Sequence, residues 1–156
     1  MPEEWLVDGY NLLHRLKAAV QKKSDLSLAR LIERIVDFSS YRKHLVLMVL
    51  DGRGPKGELD ARSAPFFRLV YSGKVSADAC IERYLFENRS RAALAVVTDD
   101  RAISDMARGG GARVLSGKNF LEILEETERQ KADILFEGRV RAHGFNRPFE
   151  KKLKDK

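Results

Sequence analysis

HLVLMVLD, residues His44–Asp51, is apolar from Leu45 to Leu50 and stops at Asp51-Gly52. A near-continuous apolar run of this length is the mark of a parallel strand buried on both faces. The pattern recurs on either side. Glu4–Asp8 ends at Asp8-Gly9, Leu94–Thr98 runs into Asp99-Asp100, and Phe66–Tyr71 and Ala112–Leu115 read as further strands. Helical periodicity fills the intervals. Asn11–Val20 carries Leu12, Leu13, Leu16 and Val20. A second helix, capped by Ser24 or Asp25, carries Leu28, Leu31, Ile32, Ile35 and Phe38. Ser76 caps a helix to about Asn88, with Ile81 and Leu85 inward. Asp99-Asp100 opens one that Gly109–Gly111 stops, and Ser116 caps the last, with Leu121, Ile123 and Leu124 inward. About five strands alternating with helices predict a doubly wound, three-layer α/β fold with a mainly parallel sheet.

In such sheets ligands bind outside the carboxyl ends of the strands. Asp8, Asp51 and Asp100 stand at strand ends, and Asp78 opens the helix after another strand. Any one of them reads equally well as a turn or a cap. Four on one edge imply a shared acidic site. Carboxylates about 4 Å apart repel by several kcal/mol at an effective dielectric near 20. A hard divalent cation, Mg²⁺ or Mn²⁺, relieves that repulsion and prefers oxygen ligands. Metal-assisted phosphodiester cleavage is the leading use of such a site. Glu82, four residues after Asp78, shares its helix face and is a candidate ligand or an exposed ion-pair partner. Asn11 is placed to orient a water or a phosphate oxygen, and also to cap its helix. Tyr10 is placed to stack on a base or to join the core.

The segment Gly52–Ala64, GRGPKGELDARSA, reads as a long irregular loop. Its Arg53 and Lys56 suit contacts with substrate phosphates. His14, His44 and His143 show no ligand spacing and Cys80 has no second cysteine, so no zinc site is expected. No P-loop, GxGxxG or GxSxG motif is present.

The 156 residues fit one domain, with 44% apolar and 33% charged side chains. No basic leader, no membrane-length apolar run and a single cysteine lead to the expectation of a cytoplasmic protein without a membrane partner. Of the net charge of +6, +5 lies in residues 139–156, which hold seven Lys/Arg against two Asp/Glu. Apolar periodicity fades from Gly138. The expected division is therefore a domain over 1–137 and a basic tail over 138–156. Arg139, Arg141, Lys151 and Lys152 in that tail are candidate contacts for a polyanion.

DGYNLLH at Asp8–His14, VLDG at Asp51, SADACIE around Asp78 and VVTDD at Asp100 together resemble the NYN-domain nucleases of the PIN-like superfamily. The likeness is greatest to the YacP-like branch and spans roughly residues 4–125. It implies a PIN-like, Rossmann-like sheet and endoribonuclease activity dependent on one or two Mg²⁺ or Mn²⁺ ions, leaving 5′-phosphate and 3′-hydroxyl ends. RNA is the implied partner, and some members resemble ribosome-associated enzymes, which adds the ribosome. Position by position it assigns metal-site acids to Asp8, Asp51, Asp78 and Asp100, supported by Asn11 and Glu82. Asp99 departs from the family's usual Thr-Ser-Asp and adds a negative charge. The alternative is a non-catalytic RNA- or ribosome-binding module on the same fold.

Overall fold

Along β1 (Glu4–Asp8) neighbouring side chains go to opposite faces: Trp5 and Val7 enter one core and Leu6 the other. β2 (Leu45–Leu50) repeats this, with Val46, Met48 and Leu50 on the first side and Leu47 and Val49 on the second. Both faces of a strand with period two are therefore apolar, which is why the sequence shows a run and no alternation. The structure, a computed structural model, describes residues 3–19, 28–52, 64–88 and 93–142. β3 (Phe67–Tyr71), β4 (Leu94–Val97) and β5 (Arg113–Leu115) complete a five-stranded sheet of order β3-β2-β1-β4-β5. Every pairing is parallel.

Five helices are described, and they form two layers. α1 (Gly9–Ala19), α2 (Leu28–Arg42) and the start of α5 (Gly117–Ala142) pack on the first face. α3 (Ala77–Glu87) and α4 (Arg101–Gly109) pack on the second. The first core centres on aromatic rings. Trp5 meets Phe38 edge-on at 5.2 Å, and Phe38 meets Phe120 edge-on at 5.5 Å. Such geometry adds about 0.5–1.5 kcal/mol per pair beyond area burial. The expected three-layer α/β architecture is the one observed.

The strand order places the reversal of chain direction at β1. The chain moves from β1 to β2 on one side, then returns across α3 to β4 on the other. A crevice opens at such a point, outside the carboxyl ends. Register levels those ends: Asp8 lies opposite Val49, and Val7 opposite Val97.

Caps fall where the sequence puts them at Ser76, whose hydroxyl accepts the Ala79 N–H at 3.1 Å, and at Ser116, which accepts the Asn119 N–H at 3.1 Å. α1 begins at Gly9, so Asn11 sits inside its first turn and does not cap it. The proposed caps Ser24 and Asp25 lie outside the described residues, as do Arg53 and Lys56. The chain comprises two compact units, Met1–Leu124 and Glu125–Lys156. The expected border at 137/138 falls inside α5, because the helix continues to Ala142 and includes Arg139 and Arg141. In the second unit Glu126 pairs with Arg129 at 2.6 Å, one turn along the helix. Among the described residues no helix is long and apolar enough to cross a membrane.

Gly9 permits the tight exit from β1. A Cβ there would stand 2.3 Å from Leu50 Cδ2, 2.9 Å from Met48 Cε and 3.0 Å from the Val49 carbonyl oxygen. Leu50 and Met48 are fully buried and have little room to retreat. Gly9→Ala is expected to lower stability by about 1–3 kcal/mol through overpacking, read from urea denaturation midpoints. An unchanged midpoint would show that the carboxyl edge yields more easily than this packing implies.

Candidate active site

Asp8 ends the central strand and is only 7% exposed. Its Oδ1 accepts the Asn11 N–H at 3.4 Å, a long contact from the first turn of α1. Asp51 follows β2. Its Oδ1 accepts the Ala77 N–H at 3.0 Å, tying the end of β2 to the start of α3, and the Ser72 hydroxyl at 3.4 Å. The same Ser72 oxygen accepts the Gly52 N–H at 3.0 Å, and Gly52 turns the chain away with φ of 85°. Asp100 caps α4, its Oδ1 accepting the Ile103 N–H at 3.0 Å. Its own N–H is held by buried Thr98 at 3.1 Å. Asp78 lies in the first turn of α3, exposed.

These four aspartates, with Tyr10, Asn11 and Ser76, line one cavity of about 260 Å³. Asp8, Asp51 and Asp100 each commit Oδ1 to a backbone N–H at a helix start. The other oxygen of each has no hydrogen bond among those described. Burial first, then the charges of Asp78, Asp100 and Asp51, push the Asp8 carboxyl up to about 6, against the Asn11 N–H, which lowers it. A larger cavity, about 320 Å³, lies among Glu4, Leu47, Phe66, Arg68 and Tyr84. Its Glu4 is hydrogen-bonded to Tyr84 and no cluster of like charge lines it, so the chemistry points to the smaller, acidic cavity.

The structure brings together Asp8, Asp51, Asp78, Asp100 and Asn11 of the expected set. Glu82, one turn along α3, is exposed and lies outside the cavity lining. Arg139 is exposed on α5 in the second unit, and Lys151 and Lys152 lie outside the described residues. Tyr10 belongs to the cavity wall, 37% exposed, and not to the core. Asp99 turns elsewhere: its carboxylate accepts the Gly117 N–H at 3.2 Å and faces the Arg15 guanidinium at 3.7 Å. Its N–H donates to Asn11 Oδ1 at 3.2 Å, which leaves the Asn11 amide NH₂ as the group able to donate. Ser72, Thr98 and Arg15 were not legible as site-building residues. Their partners are 21, 2 and 84 positions away in the chain, and only the Thr98–Asp100 proximity leaves a local trace.

Among the described residues no three His, Cys, Asp or Glu side chains are arranged to close around a metal ion. The donors at the cavity are carboxylate and amide oxygens. They fit a hard dication that keeps most of its waters, as Mg²⁺ does when held through one or two carboxylates. They do not fit a closed zinc site.

The family model described as YacP-like NYN domain matches residues 5–156 of this chain. The crystal structure of Rae1 (YacP) from Bacillus subtilis is similar with a TM-score of 0.72 at 22% identity, covering 98% of this chain and 91% of that one. The structure of a Trp-to-Leu mutant of the same Bacillus subtilis protein gives a TM-score of 0.63 at 27% identity, covering 89% and 82%. No curated protein matches.

The raised Asp8 pKa makes stability pH-dependent. The native state holds this proton more tightly than the unfolded chain, whose aspartate titrates near 3.8. The stabilisation is therefore complete below that value and is lost as pH rises through about 6. The ionised carboxylate then costs the fold roughly 3 kcal/mol. Asp8→Asn, nearly isosteric and uncharged, is expected to be more stable than the parent at pH 7 in chelator by up to about that amount. The gap should close as pH falls from 6 towards 4. Denaturant midpoints across this range test it, and a gap that does not change with pH would refute the assignment.

Proposed function

Because the chain belongs to the YacP-like NYN family, a nuclease-type family tied to RNA, we propose that it is a divalent-cation-dependent endoribonuclease. One observation carries this reading. Four aspartates from four separate places in the chain line one cavity at the carboxyl edge, and the buried one is held far above its ordinary pKa by burial and by the other three. A fold does not retain such a cluster for stability, since each uncompensated buried charge works against it.

Asp8, Asp78 and Asp100 would hold a Mg²⁺ or Mn²⁺ ion, with Asp51 adding charge beside them. Bound there, such an ion neutralises the phosphodiester and acidifies water. The chain's own groups do the rest. Asp51 fixes the start of α3, and with it Asp78, through the Ala77 N–H. Asn11, its carbonyl oxygen occupied by the Asp99 N–H, presents its NH₂ to a phosphate oxygen. Tyr10 offers a ring face for a base beside the scissile bond. Arg53 and Lys56 neutralise flanking phosphates, and Arg139, Arg141, Lys151 and Lys152 add non-specific affinity for RNA, on or off the ribosome. Attack by water at phosphorus, with the P–O3′ bond breaking and the 3′ oxygen leaving as a hydroxyl after protonation, yields a 5′-phosphate and a 3′-hydroxyl. A second reading is a non-catalytic RNA-binding module on the same fold, which would use the basic residues of 139–156.

Asp78 gives the cleanest test, because its carboxylate makes no hydrogen bond among those described and its loss leaves the helix caps intact. Asp78→Asn is expected to fold normally and to lose on the order of a hundredfold or more in cleavage of RNA with Mn²⁺. The parent should melt higher with Mn²⁺, by the equivalent of roughly 2.7 kcal/mol at a hundredfold excess over Kd, and the variant should not. RNA binding without Mn²⁺-dependent cleavage by the parent would select the non-catalytic reading. Removing residues 151–156 is expected to weaken RNA binding and flatten its salt dependence, while cleavage at saturation stays unchanged. Loss of turnover at saturation would instead place these residues in the active site.

A further inference from the structure

Past Leu124, α5 belongs to the second compact unit and runs on to Ala142. A helix draws most of its stability from packing one apolar face. Here the large apolar side chains stand in water. Leu135 is 60% exposed and Phe136 68%, the highest values for large apolar side chains among the described residues. Ile134 before them is exposed as well. Single exposed apolar residues are ordinary, whereas adjoining ones mark an interaction surface. Successive helical residues stand roughly 100° apart, so Leu135 and Phe136 border one face and Ile134 turns to the far side.

The residues along that face decide its occupant. Glu128, Ala132, Leu135 and Arg139 recur at the alternating four- and three-residue spacing of a coiled-coil seam, so they form one stripe. Its middle is apolar and its two ends carry opposite charge. Such a stripe is complementary to itself when turned end for end. In an antiparallel pair about a two-fold axis between Asp133 and Ile134, Glu128 of each copy comes opposite Arg139 of the other, and Leu135 opposite Ala132. The small Ala132 leaves room for Leu135, and Phe136 closes the border of the seam. A parallel pair would instead set Glu128 against Glu128 and Arg139 against Arg139. Within its own helix Arg139 has no acid to meet, since the residues one turn away are Leu135, Phe136, Ala142 and His143. It is exposed and makes no ion pair with another described residue. Glu125, Glu128, Asp133 and Glu137, all exposed, disfavour a polyanion along the same stretch.

We propose that residues 125–142 of α5 form an antiparallel helix pair with a second copy of this chain, seated on Leu135 and Phe136 and set in register by Glu128 and Arg139. The pairing stands apart from the acidic cavity and holds whether or not the protein cleaves RNA. It takes Arg139 from the set that RNA can use and leaves Arg141, Lys151 and Lys152.

Two helices of this length bury less than roughly 1,200 Å², so the dimer is weak and reversible. Sedimentation equilibrium of the full-length protein without RNA is expected to show monomer and dimer exchanging at roughly tens to hundreds of micromolar. Glu128, Leu135 and Arg139 are exposed, so their variants should fold, which circular dichroism checks. Leu135→Glu is expected to weaken association by about tenfold or more. Glu128→Arg brings two arginines together at each end of the seam, and Arg139→Glu brings two glutamates together. Either reversal alone should weaken association by about tenfold. An equal mixture of the two reversed proteins restores opposite charges at both ends and should recover the parent's association as a heterodimer. A dimer that either reversal leaves intact, or that mixing does not restore, overturns the proposal. So does a parent that stays monomeric. If Leu135→Glu then also lowers the melting temperature of that monomer, the face is covered from within the chain, by residues 143–156.

Discussion

Asp8 ends the central strand of an all-parallel sheet, is buried, and has no cation among its described partners. Its position is not adjustable. β2 and β4 flank β1 in register, and Gly9 carries the chain away through a gap too small for a Cβ. The carboxylate is therefore held in the same cavity as Asp51, Asp78 and Asp100, and burial first, then the repulsion of those three, raises its pKa. The surrounding structure is arranged to tolerate this. Four helices, α1, α3, α4 and α5, begin at this edge, and the positive ends of their dipoles favour negative charge. Asp51 and Asp100 each give one oxygen to a backbone N–H at a helix start, which fixes the carboxylate and stabilises the helix together.

The polarity of a parallel sheet gives its two ends different chemistry. Helix N-termini gather at the carboxyl edge, where this chain places acids. α2 ends at the amino edge, where Arg42 suits the negative end of the helix dipole. A cavity lined by Glu3, Arg42, His44 and Arg113 lies at that edge. Trp5, which packs the aromatic core, also lines the cavity at that end of β1.

The Asp99–Arg15–Gly117 contact adds a further constraint on the acidic cavity. Asp99 is bound on both its side chain and its N–H, and the latter fixes the orientation of the Asn11 amide. Gly117 has little choice of side chain here, since a Cβ would stand 3.0 Å from the Asp99 carboxylate and 3.2 Å from Arg15. The extra acid in the TDD segment thus acts on the site from behind, through Asn11, and does not enlarge the set of cavity carboxylates.

What the sequence determined by itself was the period of each element and the chemistry of its end. Runs such as LVLMVL specify strands buried on both sides, and the serines at 76 and 116 specify helix starts, because these signals depend on neighbours a few residues apart. Four aspartates at element ends named the acidic cavity for the same reason. Tertiary structure alone decided which groups meet. Strand order and register put Asp51 against Ala77 and Ser72, left Glu82 outside the lining, and turned Tyr10 into the cavity wall. The residues that surround the buried Trp5 indole come from β1, α2, β5 and the turn before β2. No local pattern encodes such a meeting, because hydrogen-bond satisfaction is a property of the folded neighbourhood and not of spacing along the chain.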